Sequence, residues 1–239
     1  MHELPFRGFS PKVRLAVGVW SLTLAVSQAA SAAPAVIAVD CAAGGSVGAA
    51  LVTARTTFQP VEIVIKGVCK ERIVIDRDEV TLRGADATAG LDGSGLAGTE
   101  PLVTVNDAHR VVLDTLRLTP TGKTGLRLES GAAVRASGLE IEGADFGVAL
   151  FPQTTLQLSG SSVFKSAQTG ISGRGAALIV NNCKVHENGA NGIGLSGGLL
   201  DMYGSVSEKN SFHGVSVLDG ATASIAFSSI DDNAVGVFV

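Results

Sequence analysis

Four side chains in the last quarter of the chain have the types and the spacing to do chemistry: His186, Glu208, Asp231 and Asp232. His186 and Glu208 stand 22 positions apart, the two aspartates follow about one such interval later, and His213 lies nearby. In a chain that returns on itself every 22 residues, such a set forms a strip. An imidazole beside carboxylates can move protons to and from a substrate or hold a metal ion. These four are the candidate catalytic residues. The plainer reading makes them solvated turn residues one or two positions from a strand, and it is preferred here.

The interval comes from a repeat. A tetrapeptide of Gly, an aliphatic, a small or polar residue and usually another aliphatic recurs six times, beginning at Gly125, Gly147, Gly170, Gly192, Gly214 and Gly236. Its glycines are spaced by 22, 23, 22, 22 and 22 residues. A period of this length signals a solenoid of stacked coils. By the period of two, the second and fourth residues point inward, as in Val148 and Leu150 or Ile193 and Leu195, and form aliphatic ladders. The glycine suits a corner where φ is near or above zero. The outward column is Arg127, Ala149, Ser172, Gly194, Ser216 and Phe238. No carboxylate stands in it, so the paired acids of glycoside hydrolysis cannot be built there. Arg127, Ser172, Arg174 and Ser216 are the candidate ligand-binding residues.

The elements that must carry these residues are short. The unit from Ala177 to Ser196 divides into strands at Ala177–Val180, Cys183–His186 and Gly192–Ser196, separated by turns. Three strands per coil of about 22 residues predict an all-β, right-handed parallel β-helix. Asn188, Asn210 and Asn233 fall in one turn, where each can bond to the next coil. A leucine-rich repeat fits part of the pattern, but the Gly/Asn-rich half with its own strand does not suit it. Earlier strands are expected at 73–75, 80–82, 102–105, 111–113 and 116–118, with a loop or loose rung over 84–100. Residues 33–60 are read as a cap, in which Ser46 starts a helix whose apolar face is Val47, Ala50, Leu51, Ala54 and Phe58.

Residues 1–32 have the parts of a signal peptide: Arg7, Lys12 and Arg14, then an apolar run from Leu15 to Val26, then a small-residue cleavage pattern at Ala30-Ser31-Ala32. The run is too short to span a bilayer, so a secreted or periplasmic protein with no transmembrane anchor is expected. The chain has a net charge of −4, and removing the basic leader leaves about −6. An acidic body without a Lys/Arg cluster excludes nucleic acid as a partner. Three cysteines remain after export; Cys41 and Cys69 are the expected disulfide, and Cys183 is a small core filler. No metal site or cofactor is expected, since no zinc-type spacing, P-loop or dinucleotide fingerprint occurs.

The segments Asn188-Gly-Ala-Asn-Gly-Ile193 and Asn233-Ala-Val-Gly-Val237 resemble the right-handed β-helix repeats of the pectin-lyase-like superfamily. The opening Val39-Asp40-Cys41, Val64-Ile65-Lys66-Gly67-Val68-Cys69 and Val80-Thr81-Leu82-Arg83-Gly84 is similar to the first coils of exported bacterial members. The resemblance covers residues 39–239 and implies the fold; the superfamily contains lyases, hydrolases, epimerases and uncharacterised surface proteins, so it does not fix an activity. The Asp231-Asp232 pair beside His213-Gly214 is similar to polygalacturonase motifs, but the order is reversed. The expectation is therefore a non-catalytic exported β-helix, 61–239, that binds a polysaccharide or cell-surface partner. The rival is a polysaccharide lyase, hydrolase or epimerase using the strip. A third reading takes Val237 and Val239, facing inward without a cap, as the mark of truncation or of self-association through the last coil.

Overall fold

The computed structural model describes residues 33–239, and the expected leader, residues 1–32, lies outside the described residues. From Val61 onward the chain winds through short strands whose neighbours in the next coil all run parallel. Together with one earlier strand, Ala35–Asp40, these form one sheet of 15 strands and one of 8 among the described residues. The larger sheet covers two walls of the tube, because Ile171–Asn181 and Ile193–Tyr203 each pass from one wall to the next unbroken. The separate strands expected at 177–180 and 192–196 are therefore parts of longer ones. Gly175, Gly197 and Gly198, with φ of +56°, +68° and +87°, bend them at the corner. The all-β, right-handed parallel β-helix is as expected from the period.

Register explains the core. Leu126, Val148, Ile171, Ile193 and Val215 are direct neighbours in successive coils and are fully buried. Two residues on, Leu128, Leu150, Leu195 and Val217 form a second buried ladder. Gly173 interrupts it, and Leu195 takes the space: a Cβ there would lie 2.6 Å from Leu195 Cδ1. On the third wall Leu118, Ile141, Val163 and Val185 stack likewise. Each fully buried aliphatic contributes about 1.5–3 kcal/mol.

The glycine that opens each tetrapeptide has a different cause from the one expected. None of Gly125, Gly147, Gly170, Gly192, Gly214 and Gly236 has positive φ. The first five are small because neighbouring atoms pass close: a Cβ on Gly147 would sit 2.3 Å from Val163 Cγ1 and 2.5 Å from the Gly170 carbonyl, whereas one on Gly236 would meet nothing nearer than 3.9 Å. The left-handed corner is occupied by Lys165, Glu187, Lys209 and Asp232 instead, with φ between +52° and +56°. Each of the first three donates its N–H to the coil beyond, as Glu187 does to the Glu208 carbonyl at 3.2 Å, which offsets the local strain.

Inside that corner runs an asparagine ladder. Asn188 Nδ2 donates to Asn210 Oδ1 at 2.8 Å, and Asn210 Nδ2 donates to Asn233 Oδ1 at 2.9 Å. Asn188 and Asn210 are buried, so the amides satisfy backbone groups as well as each other. Cys183 is buried at another corner, where its N–H donates to Ser205 Oγ and burial pushes its thiol pKa up, as suits a core filler.

The N-terminal end carries the expected helix, Val47–Ala54, and also a strand that sequence reading missed, Ala35–Asp40, paired in parallel with Val61–Lys66. Cys41 and Cys69 form the expected disulfide, with Cα atoms 5.0 Å apart. The helix buries Val47, Ala50, Leu51 and Ala54, but Phe58, expected on that face, is fully exposed because the helix has already ended. Within 84–100, Gly90–Asp92 is a well-paired rung of the third wall. A Cβ on Gly90 would lie 1.8 Å from the Arg117 carbonyl and one on Gly93 2.6 Å from the Pro120 carbonyl, whereas Gly95 and Gly98 have φ of +75° and +81°.

Candidate functional site

His186, Glu208 and Asp231 end the third-wall strands Lys184–His186, Val206–Glu208 and Ser229–Asp231, and register places them directly beside one another. They stand on strands, not in the turn; Asp232 alone occupies the turn, in the left-handed conformation. The strip is aligned but its polar groups are engaged elsewhere. The His186 ring stacks on Phe164 with centroids 5.0 Å apart, and its nitrogens face Glu187 and Ser162. Glu208 accepts a charge-assisted bond from Lys184 Nζ at 2.9 Å. That lysine holds the Glu208 carboxyl below the usual carboxylate range, which suits an ion pair better than a proton shuttle near neutrality. Asp231 accepts from Ser229 Oγ.

The other candidates meet on the tetrapeptide wall. Arg127, Ala149, Ser172, Gly194, Ser216 and Phe238 follow one another in register as the outward column. Arg127, Ser172 and Arg174 line a depression of about 600 Å³ together with Phe146, Phe151 and Pro152. An adjoining one of about 200 Å³ shares Ser172 and Arg174 and adds Asn191, Gly194 and Ser216. The first is within the size range of small-molecule sites, and the two lie side by side along the wall at Ser172 and Arg174. All four candidate ligand-binding residues thus lie on one face, on a different wall from the catalytic candidates.

The arginines differ in their surroundings. Arg127 ion-pairs with Glu129 at 2.8 Å, and its guanidinium carbon lies 4.5 Å from the Phe151 ring centroid. Its Nε is buried and lacks an acceptor. Arg174 is exposed, at the rim where the long strand bends. Phe146 and Phe151 escaped the sequence reading. The available signal was their placement: in a chain with 5% aromatic residues, they bracket one tetrapeptide, Gly147 to Leu150.

A tube of parallel coils defines the class as a β-helix. The chain belongs to the family described as right handed beta helix region, whose model matches residues 83–239, more than half of the sequence. Among solved structures it is similar to the A-module of a mannuronan C-5 epimerase from Azotobacter vinelandii, with a TM-score of 0.51 and 16% identity, covering 80% of this chain and 67% of that one. It is also similar to the Dettilon tailspike protein, with a TM-score of 0.50 and 9% identity, covering 72% of this chain. The match spans 42% of the tailspike's length. At these identities the likeness is one of fold. No curated protein matches the chain. Among the described residues no helix is long and apolar enough to cross a membrane.

Proposed function

We propose that the chain is an exported β-helix that binds an acidic polysaccharide along its tetrapeptide wall without cleaving it. The observation that carries this reading is the meeting of Arg127, Phe151 and Arg174 in one depression. Guanidinium forks match carboxylates, and an aromatic face suits the C–H face of a sugar ring. Glu129 and Arg127 are already paired with each other, which leaves Arg174 as the guanidinium of the depression that meets a ligand carboxylate. Export is supported by the pattern of residues 1–32 and by the Cys41–Cys69 disulfide, which fits an oxidising compartment. A secreted or periplasmic location follows from that reading.

Mannuronan, the polymer named for the epimerase, is the natural first probe. Calorimetric titration should give binding that weakens with added salt, while an uncharged glucan should give none. Parallel assays for reducing ends, unsaturated uronate and epimerised rings should show no turnover. The alignment of His186, Glu208 and Asp231 favours a second reading, a polysaccharide lyase, hydrolase or epimerase. Turnover abolished by Glu208→Gln or Asp231→Asn would establish it and sink the non-catalytic one.

A further inference from the structure

We infer that the glycan path continues along the helix axis from the two arginines to a second aromatic platform, built by His213 and Phe238. This rests on the reading that the tetrapeptide wall binds an acidic polysaccharide. The two rings stack with centroids 4.8 Å apart and an interplanar angle of 22°. Phe212 meets His213 edge-on at 5.6 Å and is 60% exposed. Asn191 Oδ1 lies 2.9 Å from His213 Nδ1 and fixes the ring on the wall. Phe238 is the outward neighbour of Ser216, in the same column as Arg127. Phe212 is exposed and Phe238 stands in the outward column, so the core does not account for them.

Between the two ends the open floor is Ser172 and Gly194, small enough to let a chain lie flat, while Ser216 in the same column is already buried. Coils repeat at about 4.8 Å, close to the advance per ring of an extended 1,4-linked pyranose chain, so each coil meets one ring. Arg127 to Phe238 is five such steps, roughly 24 Å. The occupant is an anionic glycan stretch of about five or six rings, held by charge at one end and by ring stacking at the other.

The test is calorimetric titration of the full chain with size-fractionated oligomannuronates of two to eight rings. Affinity should rise with length and level off at about six rings. Phe238→Ala, and independently Phe212→Ala, should weaken the hexamer about fivefold and leave dimers and trimers unchanged. Arg174→Ala should weaken every length. Circular dichroism checks that each variant keeps its fold. Binding independent of length, or phenylalanine variants that affect all lengths equally or none, would overturn the two-ended path while leaving the acidic-polysaccharide reading in place. Failure of the wild-type chain to bind any length would overturn both.

Discussion

Asn210 shows how a buried polar side chain can hold a solenoid together. Its Oδ1 accepts from both the backbone N–H and the side-chain amide of Asn188, and its own Nδ2 passes the bond on to Asn233. Asn210→Ala leaves buried donors on Asn188 without an acceptor, and should cost about 2–4 kcal/mol in urea unfolding. Ser166 occupies the preceding coil of the same corner, and its Oγ is buried without a partner. Ser166→Ala should therefore be neutral or stabilising by up to about 1 kcal/mol in the same measurement. The ladder was legible in the sequence, because three asparagines recur at nearly one position of the coil. The reason for the glycines was not. Sequence gave their regularity, but the clash of a Cβ on Gly147 with Val163 and Gly170 depends on how closely the next coil passes.

At the scale of elements, the helix Val47–Ala54 is clamped at both ends by residues flanking the strand Ile73–Ile75. Glu71 accepts from the N–H groups of Val47 and Gly48 and from Ser46 Oγ, at 2.7, 3.1 and 2.8 Å. Arg77 donates to carbonyls of Ala54, Thr57 and Gln59 at the other end. The signs match the helix dipole. Glu71→Gln should cost about 1 kcal/mol and lower hydrogen-exchange protection of that helix, leaving the coil at Leu126–Glu129 unaffected. On the third wall Glu142 lies 3.0 Å from Lys165 Nζ and 2.7 Å from Arg117 Nη2, and those partners, Lys165 first, hold its carboxyl below the usual range. A depressed carboxylate adds stability above its unfolded pKa and loses it as pH falls through the folded value. Wild type should exceed Glu142→Gln by about 0.5–1 kcal/mol at neutral pH, and the gap should close below about pH 3, as read by urea midpoints. The core strands of the later coils were readable from alternation alone. Ala35–Asp40 was not, since its apolar run directly follows the small residues of the leader and its pairing with Val61–Lys66 is a long-range fact.

For the whole molecule, the sequence assigned the candidate residues to the right coils but could not say what each side chain would meet. The 22-residue interval aligned His186 with Glu208, yet Lys184, two residues before His186, is what engages that acid. The charge of the chain is negative overall, and since Glu129 neutralises Arg127, it is Arg174 that makes the tetrapeptide wall a local exception. Two walls thus carry two different chemistries, and the central claim is that the arginine wall is the working one. The most direct test is side-by-side titration of mannuronan into Arg174→Ala and Glu208→Gln. The account expects Arg174→Ala to lose about tenfold or more in affinity while Glu208→Gln binds like wild type. Loss of binding in Glu208→Gln with Arg174→Ala unaffected would contradict it.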